Sequence, residues 1–392
     1  MLGLMSTNSR RGELDALRGL LLVVMTAEHL PTGLSAYANQ PLGFVSAAEG
    51  FVFLSAFLVG TIYARQLLEK GLAHVRSRLW RRAGKLYLVH LALIAFAFTV
   101  VAGIAVLSGR QTLHNHLAFL FQSPLWAGIA SPLLMYEPPL LDILPMYVVF
   151  LALSPLVLHS AARRGWAPVL TASGALWGLA QLGGRRWLYT HFAAATGFPV
   201  PLEALGSFDW LAWQLVWVGG LWLGAGALRR RRAAQAGLGS APPSTPRGLP
   251  AAPVLIGALL LATLFLVGRH RFAGAEFDTP LGAALLGKWH LGALRLLDFA
   301  ALAVIARHLL LPALALMRIP GLALLGRSSL AVFTTHLPFC FLSRGLIANG
   351  APGLAPWQQI AVLALTFGAM LGVAWWADEG RGASPRALAA PT

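Results

Sequence analysis

Charged side chains are scarce in this sequence of 392 residues, so those that interrupt its apolar blocks are the first candidates for chemistry. The first block has the densest set. Glu13, Asp15 and Arg18 stand at its start, and Glu28 and His29 lie deep within it. Arg18 and His29 are eleven residues apart, which on a helix is about 16 Å and returns nearly to the same face. One end of that face then holds a cation suited to phosphate or carboxylate, and the other an imidazole suited to taking a proton. A substrate that reaches across a membrane needs this layout. The plainer readings are a snorkelling arginine and a histidine satisfied within the core.

Other polar groups can join this pair. Glu49 opens the second apolar block at a depth similar to His29, where it either orients His29, binds hydroxyls or marks a solvated helix end. Arg78, Arg81 and Arg82 recur at helical spacing just before the third block, as a phosphate-holding cluster or as plain topogenic charge. Lys288, His290, Arg295 and Asp298 surround the start of the eighth block. Arg295 and Asp298 are three apart and can neutralise each other, or Lys288 or Arg295 can receive a carboxylate. His336 in the ninth block and Gln214 in the sixth are further polar groups in apolar surroundings. Several motifs fail. Gly282 to Lys288 fits a phosphate-loop pattern until Trp289 stands where Ser or Thr is needed. There is no GxSxG and no HExxH, and His114 and His116 alone make a weak metal set.

The elements that position these residues are membrane helices. The sequence is 57% hydrophobic and 11% charged, against about 25% charged in a soluble domain. Its apolar residues form long blocks rather than short alternating runs. The expected fold class is an all-α polytopic transmembrane bundle of about ten spans, near 15–34, 43–64, 84–108, 143–161, 166–182, 209–228, 251–268, 290–310, 321–343 and 357–377. The piece 113–136 suits an interfacial helix. With the N-terminus in the cytoplasm, the inner loops hold twenty-one Lys and Arg and the outer loops seven. That positive-inside bias places both termini in the cytoplasm. The net charge of +16 thus sits in short loops and sets topology, which argues against a nucleic-acid partner. Residues 1–392 read as one domain, with an Ala/Pro/Ser/Gly-rich linker near 233–253 expected to be disordered. Gly220 and Gly224 form a GxxxG suited to helix packing. A lone cysteine, Cys340, excludes an internal disulfide and a cysteine zinc site. A cleaved signal at the N-terminus is disfavoured by Arg18, Glu28 and His29.

With these residues in place, the sequence resembles the OpgC family, membrane proteins related to the acyltransferase-3 superfamily. The resemblance is carried by Glu13-Leu14-Asp15-Ala16-Leu17-Arg18-Gly19 leading to His29 and Pro31, and by Ala47-Ala48-Glu49-Gly50-Phe51-Val52-Phe53-Leu54-Ser55. Leu144-Pro145-Met146-Tyr147, Leu211-Ala212-Trp213-Gln214, Leu291-Gly292-Ala293-Leu294-Arg295 and Leu325-Gly326-Arg327-Ser328-Ser329, continuing to His336, complete it. Ala56 departs from the glycine usual after the serine, a change expected to touch packing only. The resemblance implies an O-acyltransferase in a bacterial inner membrane, modifying a periplasmic glucan or other envelope glycan. The donor is then an acyl-coenzyme A thioester from the cytoplasm, with succinyl-coenzyme A favoured over acetyl, and no metal is expected. His29 and Glu49 are the expected catalytic residues, and Arg18, Arg78, Arg81 and Arg82 the donor-binding ones. Lys288, Arg295, His336, Gln214 and Asp15 are expected to serve the acyl group or the acceptor. The rival classes are a transporter or flippase for a glycan or its lipid-linked precursor, and a sensor or scaffold without turnover.

Overall fold

The computed structural model describes residues 9–235, 251–271, 279–351 and 353–382. The protein is all-α, 82% helical, and no strand occurs among the described residues. Its principal helices are α1 (Ser9–His29), α2 (Ala47–Phe96), α3 (Ile143–Arg164), α4 (Trp166–Gln181), α5 (Gly184–Thr196) and α6 (Trp210–Gly224). They continue with α7 (Ala251–Arg271), α8 (Ala293–Ile305), α9 (Pro320–Arg327), α10 (Ser329–Gly345) and α11 (Pro356–Gly382).

Five described stretches are long and apolar enough to cross a membrane: Ala47–Ser108, Ile143–Arg164, Ala252–Arg271, Ala293–Met317 and Pro356–Gly380. The other expected spans fall on helices that are shorter, broken or charged. α4 has 16 residues and α6 has 15. The expected span 321–343 is interrupted at Ser328, between α9 and α10. α1 carries its ionisable residues along its length. The expected linker 233–253 lies largely outside the described residues; a helix reaches Gln235 on one side and α7 begins at Ala251 on the other. Residues 113–136 form a chain of short helices, Gln111–His116, Ala118–Gln122 and Pro124–Ala130, ahead of the turn at 131–134.

The basic segment 65–85, expected as a loop, is helical. α2 runs through it and departs from helical geometry only at Gly71 (φ 77°, ψ 175°), a backbone region open to glycine alone. Ser55 and Arg82 would lie about 40 Å apart on a straight helix. They instead line one cavity, so the chain doubles back at Gly71. Gly165 (φ 91°, ψ 176°) repeats this single-residue junction between α3 and α4.

Local chemistry fixes the helix starts. Ser46 caps α2 by accepting from the Ala48 N–H, while Glu49 reaches back to the Ser46 N–H, a complete capping box. Asp209 caps α6 through the Leu211 N–H, and prolines open α9 and α11. Small residues set the closest helix contacts. A Cβ at Gly224 would meet the Phe57 carbonyl at 2.1 Å, and one at Gly220 would meet the Cβ of Ala56 at 2.7 Å. The GxxxG therefore seats α6 on the first half of α2, with Ala56 in that contact. Likewise a Cβ at Gly326 would meet the Asp15 carbonyl at 1.8 Å, so α9 lies tight against α1.

Candidate active site

The candidate site lies where α1 meets α10. Arg18 donates from Nη2 to the Ser329 hydroxyl. Further along both helices, His29 Nδ1 and His336 Nε2 are 3.4 Å apart, one of them carrying the shared proton, and the two rings stack at 5.7 Å. The two pairs follow in the same order on both helices, so α1 and α10 run parallel. Eleven residues separate the partners on α1 and seven on α10, about 16 Å against about 10 Å. The long arginine side chain takes up the difference.

A cavity of about 80 Å³ surrounds the Arg18 end. Its polar groups are Arg18, Arg82, Ser55, Tyr147 and Ser329, and its apolar wall includes Phe51 and Phe333. Tyr147 donates to Ser55 at 3.5 Å. The Arg18 guanidinium sits 6.0 Å from the centre of the Phe51 ring, and its Nε is buried without a hydrogen-bond partner. Phe51 stacks on Phe333 at 6.3 Å, and Phe333 meets the His336 ring edge-on at 5.0 Å. The aromatic pair is thus the partition between the cavity and the histidines.

The far end of the site is ringed by charge. Lys288 and Arg344 both lie close enough to act on His29. Lys288 Nζ is 3.0 Å from Glu28 Oε1, and Arg344 donates to the Cys340 carbonyl at 2.8 Å. One ring nitrogen each of His29 and His336 and the Cys340 sulfur all lie within 4.8 Å of one another.

The structure divides the remaining candidates. Arg82 joins Arg18, whereas Arg81 lies with Arg76 and Trp80 on an open surface groove and Arg78 is exposed. Asp15 lies at the Arg18 end, near Arg18 and Arg327, and not with Lys288. Glu49 is fully buried, with Oε2 accepting from the Ser46 N–H and hydroxyl and Oε1 lying 2.5 Å from Arg295 Nε. The ring beside His29 belongs to His336, and the carboxylate of Glu49 faces the helix cap and Arg295. Arg295 therefore pairs with Glu49 rather than with Asp298, its neighbour one turn on. Asp298 accepts from the Phe44 N–H at 2.8 Å. Gln214 binds Ser173 through its hydroxyl (2.6 Å) and carbonyl (2.8 Å), tying α6 to α4 away from the histidines. His114 packs on Phe121, and His116 on Phe341.

Sequence reasoning gave no site role to Ser329, Tyr147, Cys340 or Arg344. A signal for the last two existed: His336, Cys340 and Arg344 recur at four-residue steps, one helical face. It also missed Glu137, outside the spans, whose carboxylate oxygens are both buried without a partner. Burial, helped by nearby Asp142 and opposed by Arg185, holds that carboxyl well above the usual carboxylate range.

The fold and site define a helical membrane protein with a buried arginine-to-histidine track along one helix pair. The profile of the OpgC protein family matches residues 10–381, nearly the whole chain, and the protein belongs to that family. Membership points to an acyltransferase that modifies glucan. No curated protein and no solved structure shows a significant match.

Proposed function

We propose that the protein is a bacterial inner-membrane O-acyltransferase that carries an acyl group, succinyl by preference, from a cytoplasmic coenzyme A thioester to a periplasmic glucan or related envelope glycan. The observation that carries this reading is the α1–α10 track. A two-arginine cavity lies at one end, a histidine pair at the other, and an aromatic partition between them. The about 16 Å between Arg18 and His29 suits a donor whose phosphates stay inside while its thioester reaches the outer half of the membrane. In this reading the bundle crosses the membrane ten times, with both termini in the cytoplasm. The reversal at Gly71 allows two crossings within Ala47–Ser108, and the parallel α1 and α10 fit first and ninth spans that run the same way.

Arg82, at the exposed side of the cavity, and Arg18, deeper in, face the donor's phosphates and arm. Arg78 and Arg81 extend the basic surface on which the nucleotide end lies. His29 acts as general base on a glycan hydroxyl, which attacks the acyl carbonyl, and His336 holds its ring and tautomer. Lys288 and Arg344 face the acyl carboxylate that distinguishes succinyl from acetyl, and stabilise the developing oxyanion. Glu49 and Arg295 hold the start of α2 against α8 rather than touch substrate.

Mass spectrometry of envelope glycans from a deletion strain, complemented with wild type or His29→Ala, tests this. The expected result is loss of a succinyl-ester increment that only the wild type restores. Glycans unchanged in mass across osmotic conditions would sink the reading and leave transport of the glycan as the next assay.

A further inference from the structure

Along α10, Ser329, Phe333, His336, Cys340 and Arg344 follow at steps of four, three, four and four residues, so they share one face. The first four positions run from the cavity through the aromatic partition to the histidines and end at a thiol. Cys340 is fully buried. It lies within 4.8 Å of reactive nitrogens on both His29 and His336, while Nδ1 of His336 is buried without a partner. A thiol placed against two imidazoles is the arrangement that activates a sulfur nucleophile. The same three groups have the ligand types of a metal site. However, Arg344 and Lys288, the latter paired with Glu28, already act on His29, so a divalent cation would add charge where the net charge is already positive. The oxyanion of a tetrahedral intermediate is the species such surroundings favour.

Building on the acyl-transfer reading, we propose that Cys340 is a catalytic nucleophile that carries the acyl group as a thioester between donor and glycan. In the first half, Cys340 Sγ bonds to the acyl carbon and the donor's carbon–sulfur bond breaks. The Cys340 proton passes by way of His336 to the departing coenzyme A thiolate. In the second half, a glycan hydroxyl oxygen bonds to the acyl carbon and the Sγ–carbon bond breaks. The hydroxyl proton passes by way of His29 to the Cys340 thiolate, which restores the starting state. Each half needs a base, and the two histidines offer one to each. Coenzyme A can leave before the glycan arrives, because the acyl group stays on the protein.

The test uses the full-length protein in lipid nanodiscs with succinyl-coenzyme A and no glycan. Peptide mass spectrometry should find succinate on Cys340 of the wild type, released by neutral hydroxylamine as thioesters are. Added glucan should discharge it. The adduct should be reduced at least about tenfold in His336→Ala. Cys340→Ala should retain the wild-type melting temperature and lose transfer by at least about a hundredfold. Wild-type protein that transfers succinate with no adduct at Cys340, or Cys340→Ala that transfers at the wild-type rate, overturns the relay and leaves direct transfer by His29 standing. Stoichiometric zinc that disappears in Cys340→Ala, with no adduct in the wild type, also overturns it. Wild type that forms neither adduct nor product overturns the acyltransferase reading and the relay with it.

Discussion

Arg18, half-buried, and Arg295, fully buried, are both arginines of the apolar bundle, and their surroundings differ in kind. Arg295 is 1% exposed and ends on the Glu49 carboxylate, itself tied to the Ser46 cap, with the Leu286 carbonyl taking a second donor and Nη2 left buried without a partner. Arg18 ends on a neutral hydroxyl, keeps Nε free of any partner, and faces a cavity it shares with a second arginine. A buried charge is stable only when its field is answered. In the Arg295 region the protein answers it. At Arg18 the protein leaves part of the answer to something that enters. A countercharge in direct contact, rather than a full set of hydrogen bonds, separates the framework from the site.

The largest expected effect falls on the ion-paired region. Arg295→Ala should cost about 3–5 kcal/mol by leaving Glu49 buried and unpaired, and the folded protein recovered in detergent should collapse. Pairing Arg295→Met with Glu49→Leu should recover most of that loss and retain transfer. A double variant that folds yet is inactive would show that the pair touches substrate, and the contrast with Arg18 would fail. Arg18→Ala should do the reverse, lowering transfer about a hundredfold or more while thermal melting stays near wild type. A melting temperature that falls as far as in Arg295→Ala would make Arg18 framework too.

Smaller effects sharpen the same division. Gln214→Ala should cost about 1–3 kcal/mol, because the Ser173 hydroxyl and carbonyl lose their partner, and should leave the activity per folded molecule unchanged. Glu137 is a framework group of a third kind, buried and answered by a proton. Burial shifts it towards the protonated form in the folded protein, while the unfolded chain ionises it near its ordinary value. The stability it gives is therefore full below that value and declines as pH rises towards the raised one. Glu137→Gln, neutral at every pH, should flatten the fall in melting temperature between acidic and neutral pH. A slope identical to wild type would show that Glu137 is ionised in the fold.

How much of this was legible in the sequence depended on distance along the chain. The capping box at Ser46 and Glu49 and the GxxxG at Gly220 and Gly224 are local patterns, and each has its structural counterpart. The Arg18–His29 spacing on α1 is local as well. The reversal at Gly71 was hidden because a glycine within a helical run reads equally as a turn or as packing. The role assigned to Glu49 depended on a partner 246 residues away, and sequence proximity favoured Asp298 for Arg295 instead. His336 meets His29 across 307 residues, and only that meeting makes Cys340 and Arg344 part of a site.

The sequence by itself determined that this is a helical membrane protein, because apolar blocks of bilayer length with charge confined between them have no other stable solution. It also determined that α1 carries a cation and an imidazole about three turns apart, since helical geometry follows from spacing alone. Which buried charges are answered and which wait for a ligand was decided only by the tertiary structure. The energy of a charge in a medium of low dielectric depends on what lies within a few ångströms of it, and helices far apart in sequence supply those neighbours.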